Sequence, residues 1–466
     1  MAQPKSAPKS RYQSAARSLP LQAHAALDVG SEKVFASIYG ASAVTVYSTM
    51  TASIRQLAAD FVANGVRSVA LEATGSYWIS LFEILEAAGL EVIMVNGGHV
   101  KNLPGRKTDM QDCQWLAYLH AHGLLSAGFV PPAQIRRLRD YHRTRQDHVT
   151  MGSAHIQHMQ KALDRMNLKV HMVFSQTVGV NCMRLIEAIL AGEREPELLL
   201  SYCDKDVTQR LRKQLLQALE GNYLPEHLFA LEQAVAGWKF YQRLIADCDQ
   251  QIQGVLADIR GMRPVVAPKT APDGTVQAGL VASKRDQPRK NALQIPELKS
   301  SLEQIFGHDL TRLPGFTTYT ATQLLAEVGF DLSPWPTSKQ FVSWLGLAPG
   351  NKSSGKRRGR YSLPITRAGR IFTMAALGLT RSKYLALGGF LRRVRGRRGP
   401  QVAIKAAARK LAVLFYDMMT KGWEYVEKGL DAYEAEYKAT LIKRLGKTAE
   451  LHGFQLVPNR PAIAVP

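Results

Sequence analysis

Acidic residues vanish from one long stretch of this 466-residue chain. Between Leu332 and Tyr416 there is no Asp or Glu, while Lys and Arg occur 18 times. The whole chain carries 60 Lys and Arg against 38 Asp and Glu, a formal charge of +22, so that one region holds nearly all the excess. A solvated helix face normally mixes both signs, and the missing carboxylates instead point to a polyanionic partner, nucleic acid first. Cysteine is also scarce. Cys113, Cys182, Cys203 and Cys248 lack metal-type spacing, which excludes a disulfide frame and reads as reduced thiols in a cytosolic protein. No apolar run approaches bilayer length, which excludes a spanning helix and any membrane role. Residues 1–23 are basic and rich in Pro, Ser and Ala without an apolar h-region. They read as a disordered basic arm rather than a signal peptide. What is present suits a globular protein: the apolar fraction is 46%, and the length allows two or three domains.

From His24 the pattern alternates. "HAALDVG", "KVFASIYG" and "AVTVYSTM" read as three strands at hairpin distance, "TASIRQLAADFVANG" as a helix stopped by Gly65, and "VRSVALEAT" as a buried strand. A helix in "SYWISLFEILEAAG", a strand in "LEVIMVN" and a helix from Asp109 complete the series. Thr108 and Gln111 have capping-box spacing. This is the element order of a ribonuclease H-like α/β domain, expected over residues 24–132. Asp28 ends the first strand and Glu72 the fourth, while Asp109 and Asp112 share a helix's first turn. Carboxylates converging from separate elements are what hard divalent cations and phosphoryl transfer require. Singly, each acid has a plain explanation as a loop cap or a dipole partner. It is the set of four that points to Mg²⁺ or Mn²⁺.

Residues 133–260 read as a helical arm. Leu231, Trp238, Ile245, Ile252 and Ile259 recur every seventh residue, with Ala234, Tyr241, Cys248 and Val255 three residues after the first four. That seam predicts a coiled coil, with "QIRRLRDYHRTRQDHVTMGSAHIQHMQKALDRMN" as the antiparallel partner. His148, His155 and His158 lie on that partner but lack the acid or Cys that would complete a metal site. They are expected to face nucleic acid or solvent. Residues 261–295 lose periodicity and read as a linker.

A mainly helical C-terminal domain is expected over 296–425, with a tail at 426–466. Leu313-Pro314-Gly315-Phe316 resembles a helix-hairpin-helix turn, whose free backbone N–H groups meet a phosphate. "SKQFVSWLGLAPG" is a helix running into a turn, followed by the loop "NKSSGKRRGRY". Lys352, Lys356, Arg357, Arg358 and Arg360 in and beside that loop are candidate phosphate contacts. Arg367, Arg370, Arg392, Arg393 and Arg395 join them from the helices and basic turn that follow.

"LDVGSEKV", "LEATGSYW", "GRKTDMQDCQWLA", "LPGFTTYTATQLLAEVG" and "FVSWLGLAPGNKSSGK" occur in this order. Together they resemble the DEDD-type transposases of the insertion-sequence 110 family over roughly residues 24–420. The resemblance implies a RuvC-like domain, a coiled-coil arm and a C-terminal transposase domain with a serine nucleophile. It places the four acids on Asp28, Glu72, Asp109 and Asp112 and the serine on Ser354, although the adjacent Ser353 leaves the register open by one. It further implies Mg²⁺-dependent cleavage and rejoining of donor and target double-stranded DNA, guidance by a structured RNA encoded beside the gene, and a homodimer assembling to a tetramer. The expected location is the bacterial cytoplasm, associated with the nucleoid. Two other readings fit the residues: a RuvC-like nuclease in which the same acids direct water, and a non-catalytic scaffold binding nucleic acid by charge.

Overall fold

The computed structural model describes residues 20–73, 75–95, 109–262, 291–349, 353–354, 357–358, 364–383, 385–422 and 429–457. The chain divides into two compact units. The first comprises Met1–Pro132, Asp331–Thr366 and Ala412–Gly422; the second comprises Ala133–Phe330, Arg367–Leu411 and Trp423–Pro466.

The first unit is built on a six-stranded sheet in the order β3-β2-β1-β4-β5-β6. Strands β1 (His24–Val29), β2 (Lys33–Ile38) and β3 (Thr45–Ser48) form an antiparallel meander. Strands β4 (Ser68–Ala73) and β5 (Glu91–Val95) run parallel to β1, and the two-residue β6 (Ala127–Gly128) closes the edge antiparallel to β5. Central β1 is buried on both faces, with Ala25, Ala26 and Leu27 fully inaccessible, as a strand covered on two sides requires. Alternation along the strands sorts the core. Ala25, Leu27, Val69 and Leu71 face one side, where they meet Leu57 and Phe61 of α1 (Thr51–Ala63) and Leu81 and Leu85 of α2 (Trp78–Ala87). Ala26 and Ala70 face the other, against Cys113, Leu116 and Ala117 of α3 (Asp109–Ala121).

The later pieces of this unit join it through aromatic rings. Phe129, just after β6, lies 4.6 Å from Trp335 and 5.4 Å from Trp344, at the end of the short helix Ser338–Trp344. Phe341 of that helix meets Phe415 and Tyr416, and the Tyr416 hydroxyl donates to the Trp335 carbonyl at 2.7 Å.

In the second unit, α4 (Ala133–Arg165) runs beside a later long helix. Helices α5 (Val180–Leu190), α6 (Pro196–Ser201) and α7 (Lys205–Leu219) fill a core at one end, and α8 (Pro225–Gly261) returns along α4. Residues of α4 meet residues of α8 in descending order, Arg137 with Asp258, Arg145 with Asp249 and Gly152 with Tyr241, so the pair is antiparallel. Of the heptad positions, Leu231, Ala234, Ile245, Cys248, Ile252, Val255 and Ile259 are buried, and Trp238 and Tyr241 are half-buried. One charged pair interrupts this apolar seam. The Arg145 guanidinium is 1% exposed and bonds both carboxylate oxygens of Asp249. Its remaining donors meet the carbonyls of Asn291 and Ala292, while the Gln294 N–H donates to Asp249. Most of the stretch read as a linker lies outside the described residues, but 291–294 are pinned by this pair.

Helix α9 (Leu298–Phe306) leads to the Leu313–Phe316 turn and α10 (Thr318–Val328). Arg139 of α4 donates to the carbonyls of Ala326 and Glu327 at the C-terminus of α10, and Arg143 grips the Glu327 carboxylate with two bonds. Cations there suit the negative end of the helix dipole. Helices α11 (Arg367–Gly378), α12 (Ala386–Arg398) and α13 (Gly429–Leu451) also belong to this unit, together with the first half of the helix Pro400–Lys421. The sequence region read as a tail is therefore helical over most of its described length.

Candidate carboxylate centre and basic surface

The face rule that sorts the sheet core also places the acids. Asp28 follows Ala26 by two positions and Glu72 follows Ala70 by two, so both belong to the α3 side of the sheet. The parallel register opposes Asp28 directly to Glu72, about 4.8 Å apart at the strand spacing. Both sit near the C-terminal ends of their strands, where open α/β sheets carry their sites. Both are half-buried, as is Asp112 one turn into α3. Cys113 fixes how that helix lies: its thiol donates to the carbonyls of Ala26 and Phe35 at 3.3 and 3.2 Å. Burial is the largest cause that brings this thiol up to about 12, with the nearby Asp28 charge adding to it and backbone hydrogen bonds at Asp28 and Ser37 opposing it. A neutral thiol is neither nucleophile nor metal ligand, so Cys113 is a spacer that holds Asp112 beside the paired strands.

Asp109 opens α3; its side chain and the whole of Thr108 lie outside the described residues. Among the described residues no group of three or more His, Cys, Asp or Glu stands close enough to hold a metal. The donor chemistry nevertheless fits a hard cation, because two carboxylates on adjacent strands offer oxygen ligands alone.

The serine loop is a hairpin. Ser353–Ser354 pairs antiparallel with Arg357–Arg358, with Ser353 opposite Arg358 and Ser354 opposite Arg357. It belongs to the same compact unit as the carboxylate sheet. Lys352, Lys356 and Arg360 lie outside the described residues. At the base of this loop, Gly346 has φ +73° and sits against the Pro364 carbonyl, and the Thr366 N–H donates to Leu345.

The remaining basic candidates divide by what they touch. Arg367, Arg370 and Arg395 are exposed. Arg392 is exposed and donates to the Ser382 carbonyl. Arg393 is half-buried, because its guanidinium stacks 3.4 Å from the centre of the Tyr437 ring and donates to the Tyr433 hydroxyl at 3.0 Å. Sequence reading had no signal for these two tyrosines, which lie 40 and 44 residues downstream on α13.

One sequence expectation changes here. His148 and His155 do not both face outward: their rings lie 5.9 and 5.5 Å from the Tyr241 ring on α8. Only His158 of the three is exposed, since a long helix buries whichever stripe its partner covers. At the Leu313–Phe316 turn the apolar side chains point inward, while Gly315 itself is half-buried. A Cβ at Gly315, which has φ +82°, would lie 2.6 Å from the Ala375 carbonyl, and Leu313 and Phe316 are fully buried. The Thr317 hydroxyl already accepts the Thr320 N–H at the start of α10.

Comparison with protein families gives two matches in different parts of the chain. A transposase model of the DEDD-type IS110 class matches residues 25–168, which include all four acids. A model of transposases of the IS116/IS110/IS902 family matches residues 307–386, which include the serine hairpin. A search of curated proteins returned no match.

Proposed function

The chain belongs to the IS110 family of transposases, and from that premise we propose that it cuts and rejoins DNA at one composite centre. Asp28, Glu72, Asp109 and Asp112 form its acidic part on an RNase H-like (RuvC-like) domain, and Ser354 supplies the nucleophile. The observation that carries this reading is the opposed register of Asp28 and Glu72 on the face covered by α3, with Asp112 on that helix.

These residues divide the labour. The four carboxylates would hold Mg²⁺ or Mn²⁺, which when bound supplies positive charge at the scissile phosphate. Cys113 and the α3 packing hold Asp112 on the helix that covers the Asp28–Glu72 face of the sheet. Ser354 Oγ forms a bond to phosphorus as the bond to one deoxyribose oxygen breaks, and that oxygen leaves with the electron pair and takes up a proton, while the hydroxyl gives one up. The phosphodiester energy is thereby kept in a protein–DNA link, so rejoining needs no ATP. Ser353 and Ser354 occupy successive positions of a paired strand, which alternate between its faces, so the two are not interchangeable. Arg357 and Arg358, with Lys352, Lys356 and Arg360, neutralise phosphate oxygens around the linkage.

The acid-free run from Leu332 to Tyr416 supports a large polyanionic load, which we read as donor and target DNA together with a structured guide RNA, held through backbone and shape. The α4–α8 pair serves as the coiled-coil arm of a homodimer that assembles to a tetramer.

The test uses end-labelled DNA and full-length protein. Ser354→Ala abolishes the covalent protein–DNA adduct, whereas Ser353→Ala retains it. Asp28→Asn and Asp109→Asn abolish cleavage and the adduct together. Undiminished cleavage by Ser354→Ala would replace the serine route with water attack by a RuvC-like nuclease. Indifference to both acid substitutions would leave a binding scaffold.

A further inference from the structure

The strand ends that gather acids also carry a cation. From Pro20 to Val95 the sequence holds three Lys or Arg: Lys33, Arg55 and Arg67. Arg55 lies on α1, which packs on the sheet face opposite the carboxylates. Arg67 precedes β4 and its N–H donates to the Ala23 carbonyl, so it stands at the far end of that strand from Glu72. Lys33 opens β2, beside the C-terminal end of β1. Lys101, Arg106 and Lys107, which precede Asp109 in the sequence, lie outside the described residues.

Strand pairing fixes where Lys33 stands. Phe35 opposes Asp28 and packs on the α3 side of the sheet, while Val34 is buried in the core on the other side. Lys33 is two positions from Phe35 and returns to the α3 side. It is therefore a diagonal neighbour of Asp28, about 7–8 Å away and within reach of a long side chain. Val29 opposes Val34, so Lys33 sits beyond the end of β1, one step nearer the mouth of the site. Glu72 flanks Asp28 on the other side, and the row across the face reads Lys33, Asp28, Glu72. Helix α3 runs back over β1, from Cys113 at the Ala26 and Phe35 carbonyls to His120 at Ser68. Its first turn, with Asp112, is left at the same mouth.

The backbone of Lys33 is held, and its head is not. The Lys33 carbonyl accepts the Gly30 N–H at 3.0 Å, and the residue pairs with Ser48 of β3. Thr49 ties down the turn before it, donating to the carbonyls of Ser31 and Glu32. The side chain is exposed and makes no ion pair with another described residue. An ammonium locked between the acids would compete with a metal cation for their oxygens. At the rim it is free to meet what the acids act on.

We propose that Lys33 is a phosphate-contacting residue of this centre, its ammonium binding a non-bridging oxygen of the DNA phosphodiester that the carboxylates act on. The inference rests on the reading that these acids work at a phosphodiester; the partner is DNA because the family is one of transposases. A DNA backbone entering a cluster of carboxylates meets like charge, and a cation at the rim offsets that repulsion. Lysine suits the place. Its compact charge on a flexible stem follows a phosphate without the planar, two-point geometry that a guanidinium imposes.

The experiment measures cleavage of end-labelled duplex DNA by the full-length protein, at saturating DNA and under the conditions in which the parent cleaves. Lys33→Ala lowers the rate by about 10- to 100-fold, the worth of a hydrogen bond to a charged group. Lys33→Arg keeps the charge and restores most of the rate. Arg55→Ala removes the same charge from the other face and cleaves as the parent does. If Lys33→Ala lowers the melting temperature, Lys33→Gln, which keeps most of the stem, gives the same reading. A parental rate in Lys33→Ala, a loss that Arg55→Ala shares, or a loss that Lys33→Arg does not restore overturns the assignment. Cleavage that still depends on Asp28 in that case leaves the carboxylate reading intact, whereas a parental rate in Asp28→Asn removes both.

Discussion

Gly346 and Gly65 have the same backbone angle, φ +73°, but different room. A Cβ at Gly65 would meet nothing within 4 Å, whereas at Gly346 it would lie 2.3 Å from the Pro364 carbonyl oxygen and 2.9 Å from the Ile365 Cα. Both obstacles are backbone and cannot rotate aside. Gly346 and Pro364 therefore meet at the neck of the loop that carries the serine hairpin. Replacing either glycine by Ala incurs the left-handed penalty, about 1–2 kcal/mol. Gly346→Ala adds a steric cost of about 1–3 kcal/mol and must part the neck. For a unit of this size each kcal/mol lowers the melting temperature by roughly 2–4 °C. Gly65→Ala is thus expected to melt a few degrees below the parent, and Gly346→Ala roughly 2–12 °C lower again. Strand cleavage should fall in Gly346→Ala alone, since Gly346, unlike Gly65, stands at the neck of the loop that carries the hairpin. Differential scanning calorimetry and a cleavage assay on the same preparations decide the matter. If the two variants melt together and cleave equally, the contact at Pro364 does not restrain the loop.

Other perturbations have equally definite outcomes. Asp249→Ala leaves the Arg145 guanidinium buried without its carboxylate and should destabilise the second unit by about 3–5 kcal/mol, read as a lower urea midpoint. His120, bonded to the Ser68 hydroxyl, is lowered to about 3 by burial and then by the neighbouring His24; His142 is lowered to about 4 by burial and then by Arg145. Both stay neutral when folded, whereas the unfolded chain binds protons below about pH 6.5. Stability is therefore full above that pH and declines as pH falls from about 6.5 toward 4, by about 1.2 kcal/mol per histidine between pH 7 and 5.5. Urea unfolding at the two pH values should show a drop that His120→Gln reduces by about that amount. Ser354→Ala and Asp28→Asn are expected to leave melting near the parent value while removing the adduct.

The central strands and the long helix pair were legible because each wears a local period. β1 and β4 are short apolar runs ending in an acid, and α8 repeats its apolar residues every seven. The face shared by Asp28 and Glu72 is a consequence of pairing, which spacing along the chain does not encode. Strand β6, at two residues, is too short to alternate. Arg145 and Asp249 are separated by 104 positions, and nothing local marks either as buried. Helical spacing identified His148 and His155 as neighbours but could not say which stripe Tyr241 would cover. The region around Tyr433 and Tyr437 has helix-forming composition, yet its packing on Arg393 depends on a distant cation. The Asp109 side chain, the loop lysines and most of the linker stretch lie outside the described residues.

A seven-residue repeat is indifferent to sliding, since advancing one partner by a full period would return apolar rows to apolar rows. Such a step would carry Arg145 about 10 Å along the axis, stranding a cation and an anion separately in hydrocarbon. The buried Arg145–Asp249 pair thus acts as a notch that favours one alignment of α4 with α8. Because Asn291, Ala292 and Gln294 bind the same pair, residues 291–294 find their place only when that alignment is correct.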